Sequence, residues 1–189
     1  MKISLLAALI VSLASLPVRA AELYGVAMPD SVSVDGKPLQ LNGLGPRKAT
    51  VFKVKVYVAG LYVDAKSNDG AAILASSGSK KLDLKFVREV EAGKIRDAWS
   101  EGLDKKENCG GDCAPFQAKL AQLNAGMVDM KVGDTMSFLF RPSGVTVEVK
   151  GEVKPEIPGA DFARALLSIW LGPNPPNSEL KKGLLGEKL

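Results

Sequence analysis

The stretch from Leu41 to Asp64 constrains this chain more than any other. It opens with Gly43, Gly45 and Pro46, passes through Arg47, and becomes a long β-rich run. From Val51 the apolar residues recur with a period of two. Phe52, Val54, Val56 and Val58 share one side, and Lys53, Lys55, Tyr57 and Ala59 share the other. That alternation predicts a strand. The glycines open backbone angles closed to other residues, and Pro46 bars a helix across the stretch. Arg47 is therefore expected where an irregular segment enters a sheet. An arginine beside apolar strands suits the capture of a carboxylate or phenolate, because its planar fork donates two parallel hydrogen bonds. A solvated arginine at a strand end fits the same spacing.

Around this stretch the chain alternates hairpins with separate helical runs. Val32 and Val34, then Asp35-Gly36, then Leu39 and Leu41 predict a hairpin. Ser67 to Gly70 makes a polar break and a helix start, followed by a short helix through Ile73 and Leu74. A strand is expected over residues 81–90. Ile95, Ala98, Trp99 and Leu103 recur at helical spacing, and Pro115 suits the first turn of a second helix through Phe116, Leu120 and Leu123. Met136, Phe138 and Phe140 alternate, Pro142-Ser143-Gly144 turns the chain, and Val145, Val147 and Val149 alternate on the way back. A further helix runs through Phe162, Leu166, Ile169 and Trp170, and Ser178 is placed to cap a last short one. No internal repeat or linker divides the chain. The pattern predicts an α+β domain with a mostly antiparallel sheet.

Lys2, an apolar run from Ile3 to Leu16 and a small residue at Ala20 read as a secretory signal peptide over residues 1–20. Residues 21–189 then form a single domain, exported to a periplasm or the outside. The apolar run is short for a membrane span, so no stable membrane insertion is expected after cleavage. Losing Lys2 and Arg19 leaves 23 basic against 21 acidic residues, and so even a balance gives no support for nucleic-acid binding. The two cysteines, Cys109 and Cys113, flank Gly-Gly-Asp, and in an exported protein such a pair is most simply a small disulfide. A structural zinc site needs about four ligands, and the chain has no histidine, so no metal site is expected.

The missing histidine also removes the usual proton shuttle and every Ser-His or Cys-His nucleophile. No glycine-rich phosphate loop stands before a helix in a βαβ setting, and no cofactor is expected. What remains is arginine, lysine, tyrosine and bound water, groups that orient a ligand and stabilise an anion. Tyr57 and Tyr62 are the further candidates, and packing within a strand accounts for either. Ten residues of straight strand span about 33 Å, so Arg47 and Tyr57 meet only if the chain folds back between them, near Thr50 and Lys53.

With these residues in view, the sequence resembles the chalcone isomerase superfamily, in particular its secreted bacterial chalcone isomerase-like branch. The matching residues are Leu41-Asn42-Gly43, Gly45, Arg47, then Lys55-Val56-Tyr57-Val58-Ala59 and Leu61-Tyr62. Phe140-Arg141-Pro142-Ser143-Gly144 and the run from Leu171 to Lys181 follow in order. The resemblance implies an open-faced β-sandwich: a large antiparallel sheet covered on one side by a helical layer, with a ligand cleft between. The family contains isomerases that close a chalcone into a flavanone and fatty-acid binders without that activity. By resemblance, Arg47 matches the arginine that holds the anionic oxygen or carboxylate. Tyr57 matches a position that is threonine in the enzymes and tyrosine in the fatty-acid binders. Arg96 falls where the enzymes carry a helix tyrosine.

The expectation that follows is an exported, non-catalytic binder of a fatty acid or similar amphipathic anion, with Arg47 and Tyr57 as ligand-binding residues and no catalytic residue. The alternatives are an isomerase or lyase acting on a flavonoid-like or enone substrate, and an envelope protein whose cleft is vestigial.

Overall fold

A computed structural model describes residues 20–49 and 52–189. The expected signal peptide falls almost wholly outside these residues. Ten strands and five helices follow in order: β1 (Ala20–Leu23), β2 (Val26–Pro29), β3 (Ser31–Val34), β4 (Lys37–Ala49), β5 (Val54–Val63), α1 (Gly70–Ala75), β6 (Lys80–Phe86), α2 (Ala92–Leu103), α3 (Gln117–Ala125), β7 (Thr135–Arg141), β8 (Gly144–Val149), β9 (Glu152–Val153), β10 (Ile157–Pro158), α4 (Ala160–Leu171) and α5 (Ser178–Leu184). A single 3-10 turn, Ala114–Phe116, leads into α3. An antiparallel sheet runs in the order β10-β8-β7-β6-β5-β4-β3, with β9 added beside β8.

Three tight turns share one cause. Tyr24-Gly25, Asp35-Gly36 and Lys150-Gly151 each place two consecutive residues at positive φ, the backbone that matches the twist of the flanking strands. Asp35-Gly36 was expected from its sequence. The hairpin of β1 and β2 at Tyr24-Gly25 was not. It lies across the outer face of the sheet, where Val26 and Met28 pack on Val58.

One face of the sheet carries the main core. Tyr57, Ala59, Leu61 and Val63 of β5, Leu82, Leu84 and Phe86 of β6, and Met136, Phe138 and Phe140 of β7 meet Trp99 and Leu103 of α2 and nearly the whole of α4. α4 is buried almost all round, from Phe162 to Leu171, as expected of a helix wrapped by sheet and helices together. Aromatic contacts join Trp99, Phe138 and Trp170 at centroid separations of 5.3–5.7 Å, edge-on between Trp99 and Phe138 and tilted in the two contacts of Trp170. Cys109 and Cys113 are bonded to each other, with Cα atoms 5.2 Å apart. Asn108 beside them donates to Gly102 O and accepts from Ser168 Oγ through its carbonyl, which pins this loop to α2 and α4.

Two expectations change. Gly43 to Arg47 is not irregular: it belongs to β4, paired along its length with β5. The predicted alternation of β5 also fails at its start. The register shifts between Arg47/Lys48, leaving Val56 as an extra residue, and such a bulge breaks the period of two. Val56 and Tyr57 consequently both pack toward the helices. Phe52, expected on the apolar side of the strand, stands in the turn and is 85% exposed.

Candidate functional site

The motif from Leu41 to Arg47 is a seat for α5. A Cβ on Gly43 would lie 2.1 Å from Gly183 O, and one on Gly45 would lie 2.2 Å from Leu180 O. The two glycines are there because helix backbone lies directly on the strand, not for an unusual φ. Asn42, the extra residue of a second register shift, is buried and fully used. Its side-chain amide donates to Ser67 O and Leu184 O and accepts from Ser67 N. The tail motif closes the same seat. Asn177 Nδ2 donates to Pro46 O at 3.0 Å and its Oδ1 accepts from Lys48 N at 3.1 Å. Asn177 thus grips the backbone on both sides of Arg47. Asn177, not Ser178, stands at the N-cap of α5, and its side chain serves the strand rather than the helix.

Directly opposed residues of antiparallel strands share a face, and Arg47 is paired with Tyr57. The chain folds back just where the two would have to meet, with Lys53 at positive φ in the turn. Both residues therefore point to the helix side. Arg47 is half-buried and its guanidinium donates to the carbonyl of Lys48. Among the described residues no carboxylate lies within ion-pair distance of it. Its cationic neighbours are occupied: Lys48 pairs with Glu179, and Lys55 sits 4.0 Å over the Tyr24 ring.

Tyr57 is buried, with 5% exposure. Its ring meets Phe86 edge-on at 5.6 Å, and its hydroxyl accepts from Trp170 Nε1 at 3.0 Å. Burial pushes the phenol up to about 12, against the opposing pull of the Trp170 bond and the charge of Arg47. The phenol is therefore neutral at ordinary pH. It accepts one bond, and its own proton has no acceptor among the described residues. The pair thus offers an unpaired guanidinium beside a spare O–H donor, a combination suited to an anionic oxygen.

Tyr62 lies elsewhere, on the opposite face of β5 with Leu39 and Leu41. Arg96 is exposed on α2, so neither joins the pair. The partner that the sequence did not reveal is Trp170. It was expected only as a member of an apolar helix face, and nothing in its spacing marks it as a donor to a residue 113 positions away. Two cavities open beside α1, and neither is lined by Arg47 or Tyr57. Among the described residues there is no cluster of metal-binding side chains, and no helix is long and apolar enough to cross a membrane.

The family model for chalcone isomerase-like proteins matches residues 20–186. A crystal structure of a fatty-acid binding protein from Arabidopsis thaliana shares the fold with a TM-score of 0.70. The match is 15% identical and covers 88% of this chain and 96% of that one. No curated protein matches the sequence. The large antiparallel sheet covered on one face by helices is the architecture that the resemblance implied.

Proposed function

The chain belongs to the chalcone isomerase-like family, and from that premise we propose that it is an exported, non-catalytic binder of a fatty acid or similar amphipathic anion. Arg47 pairs with the head group, and Tyr57 donates its free proton to the same oxygen. The observation that carries this reading is the cross-strand pair itself: a half-buried guanidinium with no carboxylate partner among the described residues, held beside a neutral buried phenol. The apolar start of the chain supports export, and the fatty-acid binding protein of similar fold supports the ligand class.

The test is calorimetric titration of delipidated protein with dodecanoate, in wild type and Arg47→Ala. Micromolar or tighter binding that is lost in the variant is expected. Unaltered affinity in Arg47→Ala, or none in wild type, rejects the reading. The same preparations mixed with a 2′-hydroxychalcone should cyclise it no faster than buffer does. A rate enhancement that vanishes in Arg47→Ala would make the protein an isomerase instead.

A further inference from the structure

The geometry points to a second ligand site at the far end of the sheet, where a cavity of about 420 Å³ beside α1 takes a monocarboxylate with an apolar body, its head group on Lys80. Lys80 is paired with Val63 and Phe140. It lies six residues along β5 from the level of Tyr57, roughly 20 Å at about 3.4 Å per residue. The site is therefore separate from Arg47, and the proposal does not depend on any ligand there.

Lys80 is 7% exposed, and lysine is almost never buried without a partner. Its ammonium donates to Ser76 O. That carbonyl satisfies one of three donors and none of the charge. Among the described residues no carboxylate pairs with it. Burial holds Lys80 below the ordinary lysine range, and the charge of Asp64 works the other way. Asp64 is itself exposed and accepts from Ala65 N.

The other charges around the cavity are mostly cancelled. Arg141 is held by Asp35 through two hydrogen bonds, and Asp161 lies 3.7 Å from Lys119. Arg164 remains, exposed on α4 at the rim and unpaired among the described residues. Beside Lys80 and Arg164 the lining includes the apolar side chains of Leu74, Phe140, Ala163 and Leu167 and the polar Ser76 and Ser77. The volume falls within the range of small-molecule pockets, about 300–1,000 Å³, and an apolar lining with a few convergent polar groups is their usual chemistry. A carboxylate on Lys80 would supply the counter-charge that the fold withholds, with its apolar body against Leu74 and Leu167.

Calorimetric titration of the purified protein with decanoate tests this, with decanol as the uncharged control. Lys80→Met should weaken one binding event by at least about tenfold, as loss of one partner of a buried charge pair does. It should leave intact any event that Arg47→Ala removes. Arg164→Gln, a change at an exposed side chain, should weaken the same event by about two- to fivefold. Decanol should bind there at least about tenfold more weakly than decanoate. Wild-type affinity in both Lys80→Met and Arg164→Gln overturns the site, and so does decanol binding as tightly as decanoate. Loss of all binding in Arg47→Ala alone also removes this site and leaves the Arg47 reading standing. The converse, loss in Lys80→Met alone, keeps this site and rejects Arg47. Should Lys80→Met fail to show a cooperative melt, Arg164→Gln decides by the same criterion.

Discussion

Arg47 and Tyr57, ten residues apart in sequence, are direct cross-strand partners in β4 and β5. The pairing follows from where the chain turns, and the bulge at Val56 immediately beyond it fixes which way both side chains face. If Arg47 holds a carboxylate, the pair is charge-assisted and poorly screened. Removing one partner of such a pair costs about 2–5 kcal/mol. Arg47→Ala should then bind dodecanoate at least about 30-fold more weakly, at about 1.4 kcal/mol per factor of ten. The titration should show this with a melting temperature close to wild type, since Arg47 is only half-buried.

Gly45 gives a test of the seat beneath Arg47. A Cβ at this position would meet Leu180 O at 2.2 Å and Leu180 Cα at 3.0 Å, both backbone atoms. Neither can swing away, so α5 must move or detach. Overpacking of this kind costs about 1–3 kcal/mol or more. Gly45→Ala should therefore lower the melting temperature by several degrees, whereas Gly36→Ala, with open space around its Cβ, should lose only what its positive φ costs. Equal melts for the two variants would show that α5 is not fixed on β4.

The two hairpins at Asp35-Gly36 and Pro142-Ser143 were legible because turn chemistry and alternation agree there. The helical runs through Trp99 and through Phe162 to Trp170 were legible because their apolar spacing has a helical period. The seat of α5 was not. Glycine and proline together read as a break, yet Gly43 and Gly45 serve contact with a distant helix, and Pro46 accepts the bond from Asn177 through its carbonyl. Bulges are likewise invisible to a period of two, which is why Phe52 was placed on a strand face it does not occupy. Arg47 and Tyr57 could be singled out by residue type and resemblance. Their register against each other, and the role of Trp170, depend on contacts over long sequence separations that no local pattern encodes.

Tyr57 makes stability depend on alkali in a defined direction. Its phenol titrates near 10 in an unfolded chain and at about 12 in the fold. Below pH 10 both states hold the proton and the full contribution is present. Between 10 and 12 the unfolded chain releases its proton while the native state keeps it, so stability falls as pH rises, by up to about 1.4 kcal/mol per unit. Tyr62 is raised in the same sense by burial and by the charges of Asp83 and Asp30. Urea unfolding at pH 9 and pH 11 should show the loss in wild type and a smaller one in Tyr57→Phe. Equal losses in the two proteins would mean that Tyr57 is not buried in solution.

The same substitution should act with opposite sign on the two tyrosines of β5. Tyr57 Oη is the acceptor for Trp170 Nε1, which lies in a core where Trp170 has no exposure. Tyr57→Phe leaves that indole N–H buried without a partner, at about 1–3 kcal/mol. In a domain of this size 1 kcal/mol moves the melting temperature by roughly 2–4 °C, so the variant should melt about 2–12 °C below wild type. Tyr62 Oη is buried, and among the described residues it has no hydrogen-bond partner. Tyr62→Phe removes an unsatisfied polar atom and disturbs little packing, so its melting temperature should equal or exceed that of wild type. Thermal melts of both variants at neutral pH, with neither protein loaded with ligand, decide the matter. A drop in Tyr62→Phe as large as that in Tyr57→Phe would mean that Tyr62 finds a partner in solution, and an unchanged Tyr57→Phe would remove the Trp170 bond from the account of the core.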